Sequence, residues 1–250
     1  MRFARSLFAA ILCAAGSSAV AAPVVIDAFD VAGNKGRFTV DPDASGQNRG
    51  LSETTDGQGP STATQTADFS HSGGGALALN LVPGTSIPAA TTPGFLLRLQ
   101  SGSASPANNM QLNPDGDTDP TGFVGAFLRT TTPNVEVAFA FDDGAGLELS
   151  TYQPLSNDGL FHLLQVNLDD ADQFNAFAGT SNGTIDQSGL TLDSIFIRST
   201  SEQLDPIVIH LDTVAFNTDG DLSALVPEPS ALALAGFGGL ALLARRRRAA

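Results

Sequence analysis

An acidic turn carries the residues best suited to bind an ion. Oxygen-bearing side chains recur at alternate positions along Asn113-Pro-Asp115-Gly-Asp117-Thr-Asp119. Ca²⁺ takes about six to eight oxygen ligands, and alternate aspartates supply several from a short stretch of chain. The stretch departs from an EF-hand loop, because Pro120 stands at the sixth position, counted from Asp115, where that loop has glycine. The spacing predicts a calcium site at Asp115, Asp117 and Asp119; the alternative is a solvated acidic turn.

The three histidines do not form the pattern of a nucleophilic active site. No Gly-x-Ser-x-Gly sequence occurs; His71 lies in a glycine-rich loop, and His162 and His210 fall inside predicted strands. A serine nucleophile needs a tight turn and a histidine within reach. Paired carboxylates for glycoside hydrolysis meet only in space, so spacing singles out no pair. The sequence therefore predicts no catalytic residue.

Sugar binding through an aromatic platform has little support. Such sites usually stack the sugar ring on Trp or Tyr, and this chain has no Trp and one Tyr, Tyr152. Its 16 Phe residues fall mostly at strand positions typical of a core. We expect any sugar site to depend on calcium or on hydrogen bonds.

The C-terminus has the three-part order of a membrane-targeting segment. Pro227-Glu228-Pro229 precedes an uncharged apolar run, Ala231 to Ala244, which is followed by Arg245, Arg246, Arg247 and Arg248. As a helix this run spans about 21 Å, whereas a bilayer core is about 30 Å thick. The arginines keep their end in the cytoplasm. We predict a short transmembrane helix over 231–244 that is marginal as a permanent span.

This tail resembles the PEP-CTERM sorting signal of exported bacterial proteins. The resemblance implies that exosortase, a membrane-embedded cysteine transpeptidase, recognises Pro227, Glu228 and Pro229 and removes the helix. It also implies passage through the inner membrane of a Gram-negative bacterium, a transient anchor, and delivery to the cell surface or the medium. An ordinary C-terminal tail anchor is the alternative.

The N-terminus agrees with export. Arg2 and Arg5 precede an apolar stretch, Leu7 to Ala15, and Ala19-Val20-Ala21 provides a cleavage site. This is the order of a secretory signal peptide over 1–21, which the general secretion machinery reads. The only cysteine, Cys13, lies inside it. The mature protein is therefore predicted to fold without a disulfide.

The chain between the two targeting ends is predicted to be one acidic domain, over 22–216, with a polar linker at 217–226 and the sorting signal at 227–250. Residues 23–226 contain 25 acidic and six basic residues, a net charge of −19. Such a surface repels nucleic acid and anionic lipid. We expect no nucleic-acid partner.

Apolar runs bounded by Gly, Pro, Asn and Asp recur along this domain and predict nine or ten strands. The long polar stretches 41–75 and 101–120 are predicted loops, the first with room for one edge strand. This spacing predicts an all-β fold, a single antiparallel β-sandwich of the jelly-roll type, with a signal helix before it and the transmembrane helix after it. The predicted strands are 24–29, 37–40, 76–82, 95–99, 123–129, 135–141, 147–152, 160–168, 190–198 and 207–216.

Two stretches resemble galactose-binding-like jelly rolls, the architecture of many carbohydrate-binding modules. Ser70-His-Ser-Gly-Gly-Gly75 leads into one strand, and the last strand continues Asp212-Thr-Val-Ala-Phe216. In calcium-bearing jelly rolls the first and last strands hold an ion together, so the resemblance implies a second site of Asp27 or Asp30 with Asp212. The alternative is that Asp30 begins a turn and Asp212 is hydrogen-bonded at a sheet edge. Fold alone does not give function.

Three functions follow from these features. The first is a non-enzymatic exported protein of the cell surface or matrix. The second is a calcium-dependent carbohydrate-binding module acting on exopolysaccharide, and the third is a surface hydrolase. The absence of Trp favours the first over the second.

Overall fold

The computed structural model describes residues 22–34, 61–89, 97–100, 110–112, 121–144, 146–185 and 189–226. These ranges contain strands and 3₁₀ turns at Ala171–Gln173 and Ser223–Leu225, but no α-helix. Within them no helix is long and apolar enough to span a membrane. The predicted signal helix, the predicted transmembrane helix and the predicted strand 37–40 lie outside the described residues.

The described strands form two antiparallel sheets. The strands are β1 Val24–Asp27, β2 Thr62–Thr66, β3 Ala76–Leu81, β4 Leu97–Gln100, β5 Met110–Gln111, β6 Phe123–Thr130, β7 Val135–Asp142, β8 Gly146–Ser150, β9 Gln153–Pro154, β10 His162–Asn167, β11 Phe174–Gly179, β12 Thr191–Ser199 and β13 Ile207–Asn217. In the first sheet the order is β10-β6-β13-β3-β2, and β1 also pairs with β13. In the second sheet the order is β11-β8-β7-β12-β4, and in addition β5 pairs with β12 and β9 pairs with β7.

One core lies between the two sheets, because every long strand turns alternate side chains inward. Ile209 and Leu211 of β13 join Phe139 and Phe141 of β7 in the same buried cluster. The residues between them, such as His210 and Asp212, therefore face outward from the first sheet. A smaller apolar cluster lies on the outer face of the second sheet, around Phe196.

The predicted all-β class with antiparallel sheets is confirmed. Strands predicted at 76–82, 123–129, 135–141, 190–198 and 207–216 agree with β3, β6, β7, β12 and β13 to within one residue at each end. β2 is an edge strand inside 41–75, the polar stretch predicted to have room for one. β5, β9 and β11 were not predicted, because two of them are only two residues long and the third buries only its first residue.

Gly122 closes the junction between the start of β6 and the end of β13. Its φ is +97°, and a Cβ placed there would lie 2.0 Å from the carbonyl oxygen of Asn217. Both the backbone conformation and the close approach therefore require glycine.

Gly122→Ala should destabilise the domain far more than Gly73→Ala. Gly73 has a similar φ of +103° but nothing within 4 Å of a built Cβ, so it isolates the backbone strain. We expect a loss of about 1 kcal/mol in the free energy of unfolding for Gly73→Ala and about 3 kcal/mol or more for Gly122→Ala. Urea unfolding measures both, and equal losses would contradict the steric role of Gly122.

Candidate functional site

An open space lies on the outer face of the second sheet, beside the small apolar cluster around Phe196. That cluster contains Ala138, Ala140, Leu149 and Phe196, and Tyr152 and Phe177 pack against it. The register places Phe196 of β12 opposite Ala138 and Leu149 of β8 opposite Ala140, and cross-strand partners project to the same face.

This space is a cavity of about 430 Å³, within the range of small-ligand sites. The outer-face pocket, as we call it, has two aromatic rings at its rim and polar side chains beside them. Phe177 packs edge-on against Phe196, with ring centroids 5.2 Å apart. The residues that line the pocket are Leu149, Ser150, Thr151, Tyr152, Asn175, Ala176, Phe177 and Arg198.

Arg198 is fixed in the pocket by two contacts. Its Nε and Nη2 donate to Glu136 Oε2 at 2.7 and 2.6 Å, and its guanidinium lies 3.8 Å from the ring centroid of Tyr152. The paired side chains are 13% and 20% exposed, so the ion pair is largely screened from water. The charge of Arg198 is thus compensated by Glu136, while Arg198 itself lines the pocket.

From the sequence, Tyr152 counted only as the single Tyr, in an argument against an aromatic platform, and Asn175, Phe177, Glu136 and Arg198 were missed as site residues. Two signals were available: Arg198 ends the apolar run Ile195-Phe-Ile197, and Glu136 stands among the apolar residues of an alternating strand. Charged residues in such strands usually need partners. Their meeting depends on the β7–β12 register, which pairs Arg198 with Glu136.

On the opposite outer face, Asp212 is the centre of a hydrogen-bond network. The side chain is fully buried, and its Oδ2 accepts from the backbone N–H groups of His71 and Ser72 at 2.6 and 2.9 Å. Its Oδ1 accepts from Thr213 Oγ1 at 2.9 Å. A buried carboxylate needs such donors to offset desolvation. The network fastens the loop between β2 and β3 onto the first sheet.

Asp30 joins this network, whereas Asp27 does not. Ser72 Oγ donates to Asp30 Oδ1 at 3.0 Å and also lies 3.3 Å from Asp212 Oδ2, so one hydroxyl bridges the two carboxylates. Asp27 Oδ1 instead accepts from the N–H of Phe29 at 2.9 Å. A Cβ on Gly74 would lie 2.1 Å from Asp30 Oδ1, so the loop fits closely around that carboxylate.

The Asp30–Asp212 pair meets part of the requirement of a calcium site. Two carboxylates and the hydroxyls of Ser70 and Ser72 supply oxygens close together. Ca²⁺ needs about six to eight oxygens, and two N–H donors already occupy Asp212 Oδ2. The described part of the chain holds no group of three or more His, Cys, Asp or Glu side chains arranged for a metal.

Two histidines, His71 and His210, lie beside this network with lowered pKa values. His71 stacks on Phe127 with centroids 3.5 Å apart, and its ring nitrogens are buried without a hydrogen-bond partner in the described structure. Burial lowers the pKa of His71, and the charge of Asp212 partly opposes this. Burial and then the charge of Arg129 lower the pKa of His210, with Asp68 opposing.

The third histidine is at the surface. His162 Nε2 lies 2.9 Å from Asp158 Oδ1, and that hydrogen bond is the main cause of a lowered pKa for the Asp158 carboxyl.

The predicted calcium residues Asp115, Asp117 and Asp119 lie outside the described residues. The same holds for the sorting residues Pro227, Glu228 and Pro229 and for the arginines 245–248.

Three solved carbohydrate-binding modules are structurally similar to this chain. The CBM22-1 xylan-binding domain of Paenibacillus barcinonensis Xyn10C is 11% identical, with 80% of this chain and 97% of that chain covered and a TM-score of 0.37. A family 30 carbohydrate-binding module is 12% identical, with 69% and 80% covered and a TM-score of 0.39. The family 30 module of the cellulosomal cellulase Cel9D-Cel44B of Clostridium thermocellum is 12% identical, with 79% and 94% covered and a TM-score of 0.38. At these values the similarities do not bear on what this chain binds.

The sequence comparisons identify only the C-terminal end. No curated protein matches the chain. Residues 225–248 match the family described as the PEP-CTERM protein-sorting motif, which begins just before Pro227-Glu228-Pro229 and ends on the last arginine of the basic cluster. The motif implies processing by an exosortase. The chain therefore carries a PEP-CTERM protein-sorting motif at its C-terminus.

Proposed function

We propose that this protein is a non-enzymatic exported protein that reaches the cell surface or extracellular matrix through its PEP-CTERM motif. The observation that carries the proposal is the match over residues 225–248. The apolar run of that motif holds the chain at the membrane until an exosortase-type transpeptidase removes it. The acidic β domain is the cargo that this route delivers.

The histidine contacts support a non-catalytic domain. A hydrolase that uses a nucleophilic serine needs an imidazole bonded to that hydroxyl. Among the residues that the structure describes, His162 bonds to Asp158, His210 lies against Arg129, and the ring of His71 is stacked on Phe127. Within the described part of the chain none of these imidazoles bonds to a hydroxyl, and burial lowers the pKa of both His71 and His210.

Replacing Pro227, Glu228 and Pro229 by Ala should prevent removal of the tail. We expect the parent protein recovered from the surface and the medium to have lost its C-terminal segment, and the variant to stay in the membrane fraction at full mass. Intact-mass spectrometry of both fractions measures this. Glu202→Ala, which alters an exposed acidic residue of the domain, is the control. An intact tail on surface-exposed parent protein would contradict the sorting proposal.

The outer-face pocket supports a second function, binding of a neutral carbohydrate such as an exopolysaccharide chain. Sugars present apolar C–H faces and hydroxyl edges, and Tyr152 and Phe177 offer rings for the faces. Arg198 and Asn175 offer donors for the hydroxyls. Because Glu136 compensates Arg198, the site suits an uncharged sugar better than an acidic one.

A calcium ion at Asp30 and Asp212 would lie on the opposite face of the domain from the proposed sugar pocket. Asp30 and Asp212 face outward from the first sheet, and the pocket lies on the outer face of the second, with the shared core between them. An ion at that pair would fasten the loop between β2 and β3 rather than contact the sugar. An ion at Asp115, Asp117 and Asp119 is a separate proposal, which rests on their alternating spacing.

Tyr152→Ala should weaken sugar binding without unfolding the domain. The change removes a ring from the pocket rim, and we expect about a tenfold loss of affinity for a neutral exopolysaccharide. Affinity electrophoresis against that polysaccharide measures it. Phe69→Ala removes a 40% exposed ring from the loop between β2 and β3, which packs on the other sheet, and should leave binding unchanged. Equal affinity of the parent and the Tyr152→Ala variant would contradict the proposal that the outer-face pocket binds the sugar.

Calcium binding can be tested separately at its two proposed sites. We expect added Ca²⁺ to raise the melting temperature of the chelator-stripped protein, and Asp30→Ala and the Asp115→Ala/Asp117→Ala pair each to reduce that rise. Asp205→Ala, at an exposed turn, should leave it unchanged. Calorimetric titration that gives no heat with the parent protein would rule out both sites.

A further inference from the structure

The chain that leads into the sorting motif is folded against the domain. Asn217, the last residue of β13, is buried, and its Nδ2 donates to the carbonyl of Asp221 at 2.9 Å. Its Oδ1 accepts from the N–H of Asp219 at 3.2 Å. Thr121 Oγ1 donates to the carbonyl of Thr218 at 3.2 Å. The segment predicted as a polar linker thus turns back onto the first sheet as soon as β13 ends.

Leu222 anchors this segment. Its side chain is fully buried, and its N–H donates to Gln165 Oε1 at 2.9 Å. Gln165 belongs to β10, and its own carbonyl accepts from Gln153 Nε2 at 2.9 Å. Burial of a leucine is worth about 1.5–3 kcal/mol. The segment is therefore held by one apolar side chain and a few hydrogen bonds, which is the stability of a local, reversible contact.

The sorting motif begins inside the same folded turn. Asp221 Oδ1 accepts from the N–H of Ser223 at 3.0 Å, and the N–H groups of Leu225 and Val226 donate to the carbonyls of Leu222 and Ser223 at 3.0 Å each. The motif match starts at residue 225, two residues before Pro227. Leu225 and Val226 therefore belong both to the domain and to the motif.

This geometry leaves very little chain between the domain and the residues that an exosortase must reach. Pro227-Glu228-Pro229 follows Val226 directly, so even a fully extended chain keeps those residues within about 11 Å of it. A domain of this length has a radius of gyration of about 16 Å, and is therefore far broader than its tether. Release of Leu222 would free residues 218–226 and add about 30 Å of reach.

We propose that residues 218–226 are a releasable tether. While Leu222 is docked, the folded domain blocks the approach of the processing enzyme to Pro227-Glu228-Pro229, and release of Leu222 sets the rate at which the tail is removed. The inference rests on the proposed function, because it takes processing by an exosortase-type enzyme as given. It adds that the domain itself governs when that processing occurs.

Two changes to the full-length precursor test the tether by opposite means. An insertion of about eight Gly and Ser residues after Val226 adds roughly 16 Å of reach and leaves Leu222 in place. Leu222→Ala leaves the length unchanged and removes the anchor. Each should speed removal of the tail on the order of tenfold in a pulse–chase with the enzyme co-expressed. The two changes combined should be no faster than the insertion alone.

Leu204→Ala is the matched control, because it makes the same substitution at a leucine that is 71% exposed; its processing rate should equal that of the parent. Hydrogen exchange reports docking independently of processing. The amides of Leu222, Leu225 and Val226 should stay protected in the insertion variant and lose protection in Leu222→Ala. If Leu222→Ala fails to fold in a thermal melt, the insertion variant alone decides.

Three results are distinguishable. Faster processing of the insertion variant with its amides still protected supports the tether. Processing of every variant at the parent rate overturns the tether and leaves the sorting proposal intact. Retention of the tail by parent and variants alike, with the enzyme present, overturns both.

Discussion

Strand β13 pairs with β6 along one side and with β3 and then β1 along the other, and most features of the protein depend on that pairing. Alternate residues Ile209 and Leu211 enter the shared core, while Asp212 turns outward to fasten the loop between β2 and β3. Asn217 then ends the strand and directs the chain into the turn that carries Leu222. Core, loop and C-terminal end are therefore held by one strand with neighbours on both sides.

The sequence predicted the strands that contain a clear apolar alternation. β7 could be found because Val and Phe recur at every second position, and β13 because it begins with Ile207, Ile209 and Leu211 in the same alternation. β11 escaped because only the first of its six residues is buried, so it shows no such alternation. β2 was anticipated only as one edge strand somewhere in 41–75, because Thr and Gln dominate it. The two candidate sites depend on contacts between residues that are far apart in the sequence, so the sequence did not reveal them. Arg198 meets Glu136 only through the β7–β12 register, and Asp212 accepts hydrogen bonds from a loop about 140 positions earlier in the chain.

The two outer faces differ in how their charged side chains are compensated. On the first sheet, N–H and O–H donors surround a buried carboxylate and fasten a loop, so that face is largely covered. On the second sheet, Arg198 and Glu136 compensate each other beside an open pocket. Half-buried Tyr152 and Phe177 and exposed Asn175 line that pocket, whereas the carboxylate network of the first face serves the fold.

The pairing of Val24 with Phe216 places the two ends of the domain side by side. The first sheet consequently cannot close until almost the whole domain is available, and contacts between such distant residues form slowly. On the proposed export route the apolar tail is the next part of the chain to arrive, and it would hold the chain at the membrane while β13 pairs. An unpaired β13 edge is open to other unfinished copies, so the order of translocation would couple retention at the membrane to protection against aggregation.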